Sequence, residues 1–174
     1  MLPEMRRKAQ QLPPAEAEAI LRAGSSGVLA LAGAEGYPYA LPISYVYHEG
    51  RLYFHCAPTG HKLDAVARCP KASFCVIAQD DVVPALYTTR YRSVIAFGTI
   101  RRLEDEQAII TALDVLGRKY APDLDPSAEI AKSLPRVRVL EMTLDHLTGK
   151  EGLELTRLRE KKQYYSWLKA TKSY

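Results

Sequence analysis

The alternating pattern of residues 37–56 constrains the fold more than any other feature of this chain. Tyr, Leu and Ile alternate with smaller residues over 37–48, and the pair Glu49-Gly50 separates them from a second apolar run at 51–56. Alternation with a period of two is typical of a β-strand, and a two-residue turn joins antiparallel neighbours. The segment therefore predicts two antiparallel strands joined by a tight turn.

Two prolines restrict where the first of these strands can lie. Pro38 and Pro42 have no N–H group to donate to a neighbouring strand. The strand is therefore predicted to lie at the edge of a sheet or to carry a bulge.

The rest of the chain is predicted to add more strands than helices. Further strands are predicted at 27–32, 71–78, 92–103 and 136–144, and helices after Pro13-Pro14, from His61 to Pro70, and at 104–120. Residues 79–90 are predicted to be a loop, 122–135 a loop or short helix, and 153 onward a charged tail. Six strands with short connections disfavour a parallel doubly wound sheet. They favour a mainly β fold, a closed or nearly closed antiparallel barrel with two or three peripheral helices.

Positive charge is concentrated at the C-terminal end. The whole chain has a net charge of +4, but residues 156–174 contain six basic residues and one acid, a net +5, which leaves −1 for residues 1–155. We therefore expect one domain at 1–155 with no nucleic-acid partner, followed by a basic, aromatic tail at 156–174. The tail is predicted to pack its aromatic residues on the domain or on a second copy; an amphipathic surface-binding segment is the alternative.

Composition also bears on the compartment and on metal binding. No apolar run approaches the ~18 residues needed to span a bilayer, and the N-terminal segment lacks the apolar stretch of a secretory signal. We therefore expect a cytoplasmic protein without a membrane partner. The three cysteines, Cys56, Cys69 and Cys75, have no metal-binding spacing with each other or with the histidines, so no metal site is predicted.

The sequence Gly60-His61-Lys62 begins the helix that follows the strand 51–56. The first N–H groups of a helix have no intrahelical acceptor and lie at the positive end of its dipole. With a nearby lysine they form a candidate phosphate site, although an ordinary solvent-facing helix start fits this local pattern equally well. His55 is expected to line a ligand cleft or to be a core or interface histidine. Since no nucleophile motif or dinucleotide fingerprint occurs, a bound cofactor is expected to carry any chemistry.

Several of these motifs together resemble one known group of proteins. The hairpin at 37–56, the G-H-K-L-D turn at 60–64, the strand 91–98 and the Thr-Gly-Lys ending at 148–150 resemble the FMN-binding split-barrel proteins. These include the pyridoxamine 5′-phosphate oxidase family, and the strongest resemblance is to the nitroimidazole-resistance branch. The resemblance covers about residues 27–150 and implies an antiparallel, Greek-key-like split barrel. It implies a homodimer with FMN at the subunit interface.

The resemblance also implies which residues hold the cofactor. They are Pro42, Ile43 and Ser44 beside the ring, the strand end Phe54, His55, Cys56 and Ala57, the phosphate ligands His61 and Lys62, and the groove residues Ser93, Val94 and Lys150. His61 is also the candidate catalytic residue, since it is expected near either the reacting edge of the ring or the phosphate.

The activity implied by the resemblance is that of an FMN-dependent oxidoreductase. It would take electrons from a nicotinamide donor and pass them to small electrophiles such as nitroaromatics, including 5-nitroimidazoles. The arginine-rich signatures and the Trp/Arg motif of vitamin B6 oxidases have no counterpart in this chain, so that activity is not expected. The alternative is a non-catalytic flavin or heme carrier or sensor, and heme and deazaflavin are the alternative cofactors.

Overall fold

A computed structural model of the chain describes residues 4–171, with side chains described as far as residue 163. The strands are β1 (Ser26–Ala32), β2 (Pro38–Ser44), β3 (Val46–His48), β4 (Arg51–Cys56), β5 (Lys71–Val83), β6 (Thr88–Arg102) and β7 (Arg138–Glu151). The α-helices are α1 (Pro14–Ala23), α2 (His61–Arg68), α3 (Glu106–Tyr120), α4 (Ser127–Ser133) and α5 (Leu153–Thr171).

All seven strands form one antiparallel sheet in the order β2-β1-β5-β6-β7-β4-β3. The two edge strands, β2 and β3, are consecutive in the chain, and only Tyr45 separates them. The two ends of the sheet must therefore meet at Tyr45, so the sheet curls into a barrel that is not closed by a ladder between β2 and β3. This confirms the prediction of a mainly β, antiparallel split barrel.

The edge position predicted from Pro38 and Pro42 is also confirmed. Both prolines belong to β2, whose one neighbouring strand is β1, and Pro42 lies opposite Val28 in that pair. An edge strand tolerates proline because one row of its backbone groups has no ladder partner.

Three of the predicted segments were wrong. The strand at 37–48 is interrupted at Tyr45, the loop at 79–90 is the outer part of a hairpin formed by β5 and β6, and β7 continues to Glu151. The charged tail begins with helix α5. The hairpin was missed because residues 79–90 do not alternate between polar and apolar types, and apolar residues such as Val82 and Leu86 are exposed, whereas backbone pairing continues through the segment. Asp81 lies opposite Arg90 there, a favourable cross-strand charge pair. Residues 4–171 thus contain seven strands and five α-helices, whereas six strands and two or three helices were predicted.

The main core lies inside the barrel around Phe74 of β5. The Tyr45 and Phe54 rings approach the Phe74 ring at centroid distances of 4.7 and 5.2 Å, both in edge-to-face geometry. All three side chains are fully buried. Helix α3 covers the outer face of β3, β4 and β7, where Leu113 and Leu116 join Val46 and Val139 in a second apolar cluster.

Helix α5 is attached to the domain through a buried carboxylate. Glu151, at the end of β7, is fully buried and pairs with Arg92 of β6 at 3.2 Å and with Arg159 of α5 at 3.0 Å. Arg159 also donates to the carbonyl oxygen of Gln11 at 3.2 Å. The first turns of α5 therefore pack on the domain, whereas the predicted packing of Tyr164, Tyr165 and Trp167 lies outside the described side chains. No α-helix within residues 4–171 is long and apolar enough to cross a membrane.

A second buried carboxylate, Glu141 of β7, joins three strands. It pairs with Arg51 of β4 at 2.9 Å and with Arg101 of β6 at 2.8 Å. Burial raises the pKa of Glu141, but hydrogen bonds from Arg101 and Arg51 outweigh burial and leave the pKa below its ordinary value.

We expect Glu141→Gln to destabilise the protein at neutral pH and to have little effect in acid. Because the folded-state pKa lies below the unfolded one, the stabilisation is fully present above the unfolded pKa, about 4.3, and is lost as pH falls through the folded pKa. At pH 7 the substitution is expected to lower the free energy of unfolding by about 1–2 kcal/mol. Urea unfolding at pH 7 and at decreasing pH measures it, with Glu49→Gln as the exposed control. A difference between Glu141→Gln and wild type that does not shrink in acid would contradict this linkage.

Candidate functional site

The start of α2 is open to an anion. Gly60 precedes the helix with a φ of +133°, a backbone conformation that favours glycine, and no side chain caps the helix. The Gly60 carbonyl accepts hydrogen bonds from the N–H groups of Leu63 and Asp64 at 2.9 and 3.2 Å. The N–H groups of His61 and Lys62 are the first in the helix, so they have no intrahelical acceptor.

Two cations lie beside this helix start. Cys56 ends β4 and pairs across the ladder with Arg138, the first residue of β7. Burial raises the pKa of the Cys56 thiol, while the positive charges of Lys62 and Arg138 act in the opposite direction. Both cations are therefore close to Cys56, and the carboxyl end of β4 is electropositive.

A cleft of about 380 Å³ adjoins this end of β4, between the strand and helices α3 and α4. This helix-side cleft is lined by residues that include Ser44, His55, Leu116, Tyr120, Ile130 and Val137. It adjoins the same strand end as the basic group, but His55 and Cys56 are consecutive in β4, so their side chains lie on opposite faces of the sheet. The Arg138 guanidinium also donates to the Val137 carbonyl oxygen at 2.8 Å. The cleft thus offers mainly apolar walls with the hydroxyls of Ser44, Tyr120 and Ser133, the His55 imidazole and the Glu129 carboxylate.

The wall that contains Ser44 is held by the end of α3. At Tyr45 the chain leaves β2 for β3, and the Tyr45 N–H donates to the Tyr120 hydroxyl at 2.9 Å. The Lys119 ammonium donates to the carbonyl oxygens of Tyr45 at 2.9 Å and Gly24 at 2.5 Å. Burial lowers the pKa of Lys119. These bonds satisfy backbone groups at the break between the edge strands and fix the position of Ser44.

A second cleft, of about 370 Å³, lies along α2. This turn-side cleft is bordered by His61, Ala65 and Arg68 of α2 and by the β1–β2 turn, with Tyr37 and Tyr39. The structure thus places the two predicted histidines in different clefts, His55 with Ser44 and His61 with Arg68.

The remaining predicted residues fall into two groups. The side chains of Phe54 and Val94 are fully buried in the core, so they can approach a ligand only through their backbones. Ser93 and Lys150 lie opposite each other on β6 and β7, three and four strands from Ser44 in the sheet order.

The outer face of the sheet exposes a row of side chains that is unusually apolar for a solvated surface. Pro42, Val28, Cys75, Ile95 and Thr148 lie opposite one another across β2, β1, β5, β6 and β7. Val28 and Ile95 are each 39% exposed, and Ile77, two residues beyond Cys75, is 64% exposed. Contiguous apolar surface of this kind marks interaction sites.

Sequence reasoning missed Arg138, Tyr120 and Arg68 as members of these sites. Arg138 and Tyr120 are near the predicted residues only because of strand pairing and helix packing, whereas Arg68 follows His61 by seven residues on α2, so helical spacing could have identified it. Among the described residues, no group of three or more His, Cys, Asp or Glu side chains is arranged to hold a metal ion.

Comparisons with known proteins agree with this architecture. The sequence profile of a family described as Pyridoxamine 5′-phosphate oxidase matches residues 13–151. No curated protein sequence matches the chain.

Several solved structures share the fold. A proposed 5-nitroimidazole antibiotic resistance protein from Bacteroides thetaiotaomicron matches with a TM-score of 0.70 and 24% identity, over 81% of this chain and 86% of that chain. The FAD and heme binding protein from Mycobacterium smegmatis matches with a TM-score of 0.71 and 24% identity, over 83% and 74%. A conserved hypothetical protein from Mycobacterium tuberculosis matches with a TM-score of 0.75 and 16% identity, over 87% and 92%.

Proposed function

Because the chain belongs to the pyridoxamine 5′-phosphate oxidase family, we propose that it is a flavin-dependent oxidoreductase. The observation that carries the proposal is that two features lie at the same end of β4, one on each face of the sheet. One is the uncapped start of α2 beside Lys62 and Arg138, and the other is the apolar helix-side cleft with Ser44 and His55. An anion site next to an apolar slot fits a molecule with a phosphate at one end and a planar ring at the other.

The residues present fit the FMN portion of a flavin. In this proposal the N–H groups of His61 and Lys62 donate to the phosphate, and the Lys62 and Arg138 charges neutralise it. The walls of the helix-side cleft exclude water from the ring, while Ser44 and His55 offer polar contacts to it. His61 is then assigned to the phosphate side of the site, since it borders the turn-side cleft with Arg68.

A homodimer is part of the proposal. The exposed row from Pro42 to Thr148 would be covered by the same row of a second copy, as the apolar surface favours. Ser93 and Lys150, which lie three and four strands from Ser44 in the sheet order, would then reach the flavin of the partner.

When bound, flavin supplies the redox chemistry, since it accepts two electrons and a proton from a nicotinamide donor and passes electrons to a small electrophile such as a nitroaromatic. The chain supplies binding, orientation and a dry cleft.

The absorption spectrum of the purified protein tests this proposal. We expect flavin bands in the blue and near-ultraviolet, either as purified or after addition of FMN and gel filtration. Turnover is tested by oxidation of a nicotinamide with a nitroimidazole acceptor. Protein that stays colourless with added flavin would contradict the proposal.

A heme-binding protein is the second candidate. The observation that favours it is the exposed imidazole of His55, which faces an apolar cleft and could ligate an iron. An intense Soret band without flavin bands would select this candidate over the first.

Lys62→Ala is expected to weaken FMN binding about 10- to 100-fold, because a charged hydrogen bond to the phosphate is lost. Flavin fluorescence titration of the apoprotein measures the change. Lys71→Ala is the matched control, because Lys71 is an exposed lysine that pairs with Asp145 at 3.1 Å, on a different strand. Unchanged FMN affinity in Lys62→Ala would move the phosphate to another part of the protein.

A further inference from the structure

The turn-side cleft begins where the proposed phosphate site ends. His61 is the first residue of α2 and borders the cleft, and Ala65 and Arg68 follow at spacings of four and seven residues. These spacings place all three on one face of the helix, toward the β1–β2 turn. A ligand whose phosphate lies at the start of α2 can therefore continue into this cleft.

The opposite wall presents an aromatic ring on a rigid turn. Tyr37 is 73% exposed, yet its backbone is held at both ends, since its carbonyl accepts from the Gly33 N–H at 2.9 Å and its N–H donates to the Ala34 carbonyl at 3.0 Å. Glu35, within the turn, has a φ of +53°, which makes the turn a specific, tight conformation. An exposed tyrosine whose backbone is fixed in this way offers an accessible ring for stacking on a planar ligand.

The charged residues of the cleft lie on opposite walls, with the guanidinium on the helix and the carboxylate on the turn. Arg68 and His61 lie along the helix wall, and Glu35 is the acid on the turn. A volume of about 370 Å³ falls within the range of about 300–1,000 Å³ for small-molecule sites. An aromatic ring on one wall and a guanidinium on the other suit a planar base that carries a phosphate.

We propose that the turn-side cleft binds the adenosine monophosphate half of FAD, so that the protein prefers FAD to FMN. In this arrangement Tyr37 stacks on the adenine, and Arg68 and the His61 side chain contact the second phosphate. The inference rests on the proposed function, because it requires the FMN portion at the start of α2.

Parallel titration of the apoprotein with FMN, FAD and AMP tests the inference. We expect FAD to bind at least tenfold more tightly than FMN, and AMP to compete with FAD but not with FMN. Tyr37→Ala and Arg68→Ala are each expected to weaken FAD binding about tenfold and to leave FMN affinity unchanged. Tyr87→Ala, which removes an almost fully exposed tyrosine from the β5–β6 turn, is the matched control.

The outcomes separate the inference from the proposed function. Two outcomes would overturn the inference and leave the proposed function standing. One is tight FMN binding without a preference for FAD, and the other is an equal loss of affinity for both flavins in the variants. Failure of the unmodified protein to bind either flavin would overturn the proposed function and the inference with it. Melting temperatures of the three variants show whether any change in affinity reflects loss of fold.

Discussion

Gly98→Ala is expected to prevent stable folding or to lower the free energy of unfolding by more than about 3 kcal/mol. Gly98 lies in β6 at a register shift against β7, next to Phe97. A Cβ atom at this position would lie 1.9 Å from the Thr143 carbonyl oxygen and 3.2 Å from the Met142 side chain. Because the first obstacle is the backbone of the neighbouring strand, rotation of a side chain cannot relieve the clash. The two central strands would have to separate.

Soluble yield, near-ultraviolet circular dichroism and urea unfolding measure this effect. Gly152→Ala is the control, because its nearest contact beyond the adjacent residues, the Thr89 carbonyl oxygen, is 3.2 Å from the added Cβ. The control is expected to fold with a small loss of stability. A Gly98→Ala protein as stable as the Gly152→Ala protein would show that β6 and β7 tolerate separation at this point.

Phe74→Ala is expected to lower the free energy of unfolding by about 3–5 kcal/mol. Its ring is fully buried and is packed edge-to-face by Tyr45 and Phe54. Removal would leave a cavity between β1, β4 and β5 and would remove contacts to the residue that joins the two edge strands. The surrounding barrel is a coiled sheet with many strand pairs, so it can collapse into the cavity only partly.

Chemical denaturation of Phe74→Ala, Phe74→Leu and Ile77→Ala separates this packing effect from a general effect of mutating β5. The leucine variant is expected to have intermediate stability. Ile77 lies on the same strand but is largely exposed. Ile77→Ala is therefore expected to lower the free energy of unfolding of the free monomer by less than about 0.5 kcal/mol. Equal effects at Phe74 and Ile77 would contradict the assignment of Phe74 to the centre of the core.

Local patterns sufficed for much of the fold. The hairpin at 37–56, the edge position required by Pro38 and Pro42, and the helix that begins at His61 follow from periodicity and from the chemistry of proline and glycine. These features depend on residues that are close in sequence. The hairpin at 79–90 was missed because its polar and apolar residues occur in blocks and do not alternate, although their backbones pair. The interruption at Tyr45 was missed because its side chain continues the alternation of the strand while its backbone changes partners.

The candidate site divides in the same way. Gly60, His61 and Lys62 form a helix start that the sequence by itself determined, because the missing acceptors and the positive backbone angle are local properties. The sequence also determined the family and the antiparallel class of the sheet.

Only the tertiary structure decided which residues share a site. The sheet order brings Arg138 beside Cys56, and the packing of α3 brings Tyr120 beside Ser44, across separations of more than 70 residues. The tertiary structure also places His55 and His61 in different clefts, although they are only six positions apart in the sequence. The physical reason is that strand pairing and helix packing depend on the summed burial of the whole core, which no short segment specifies.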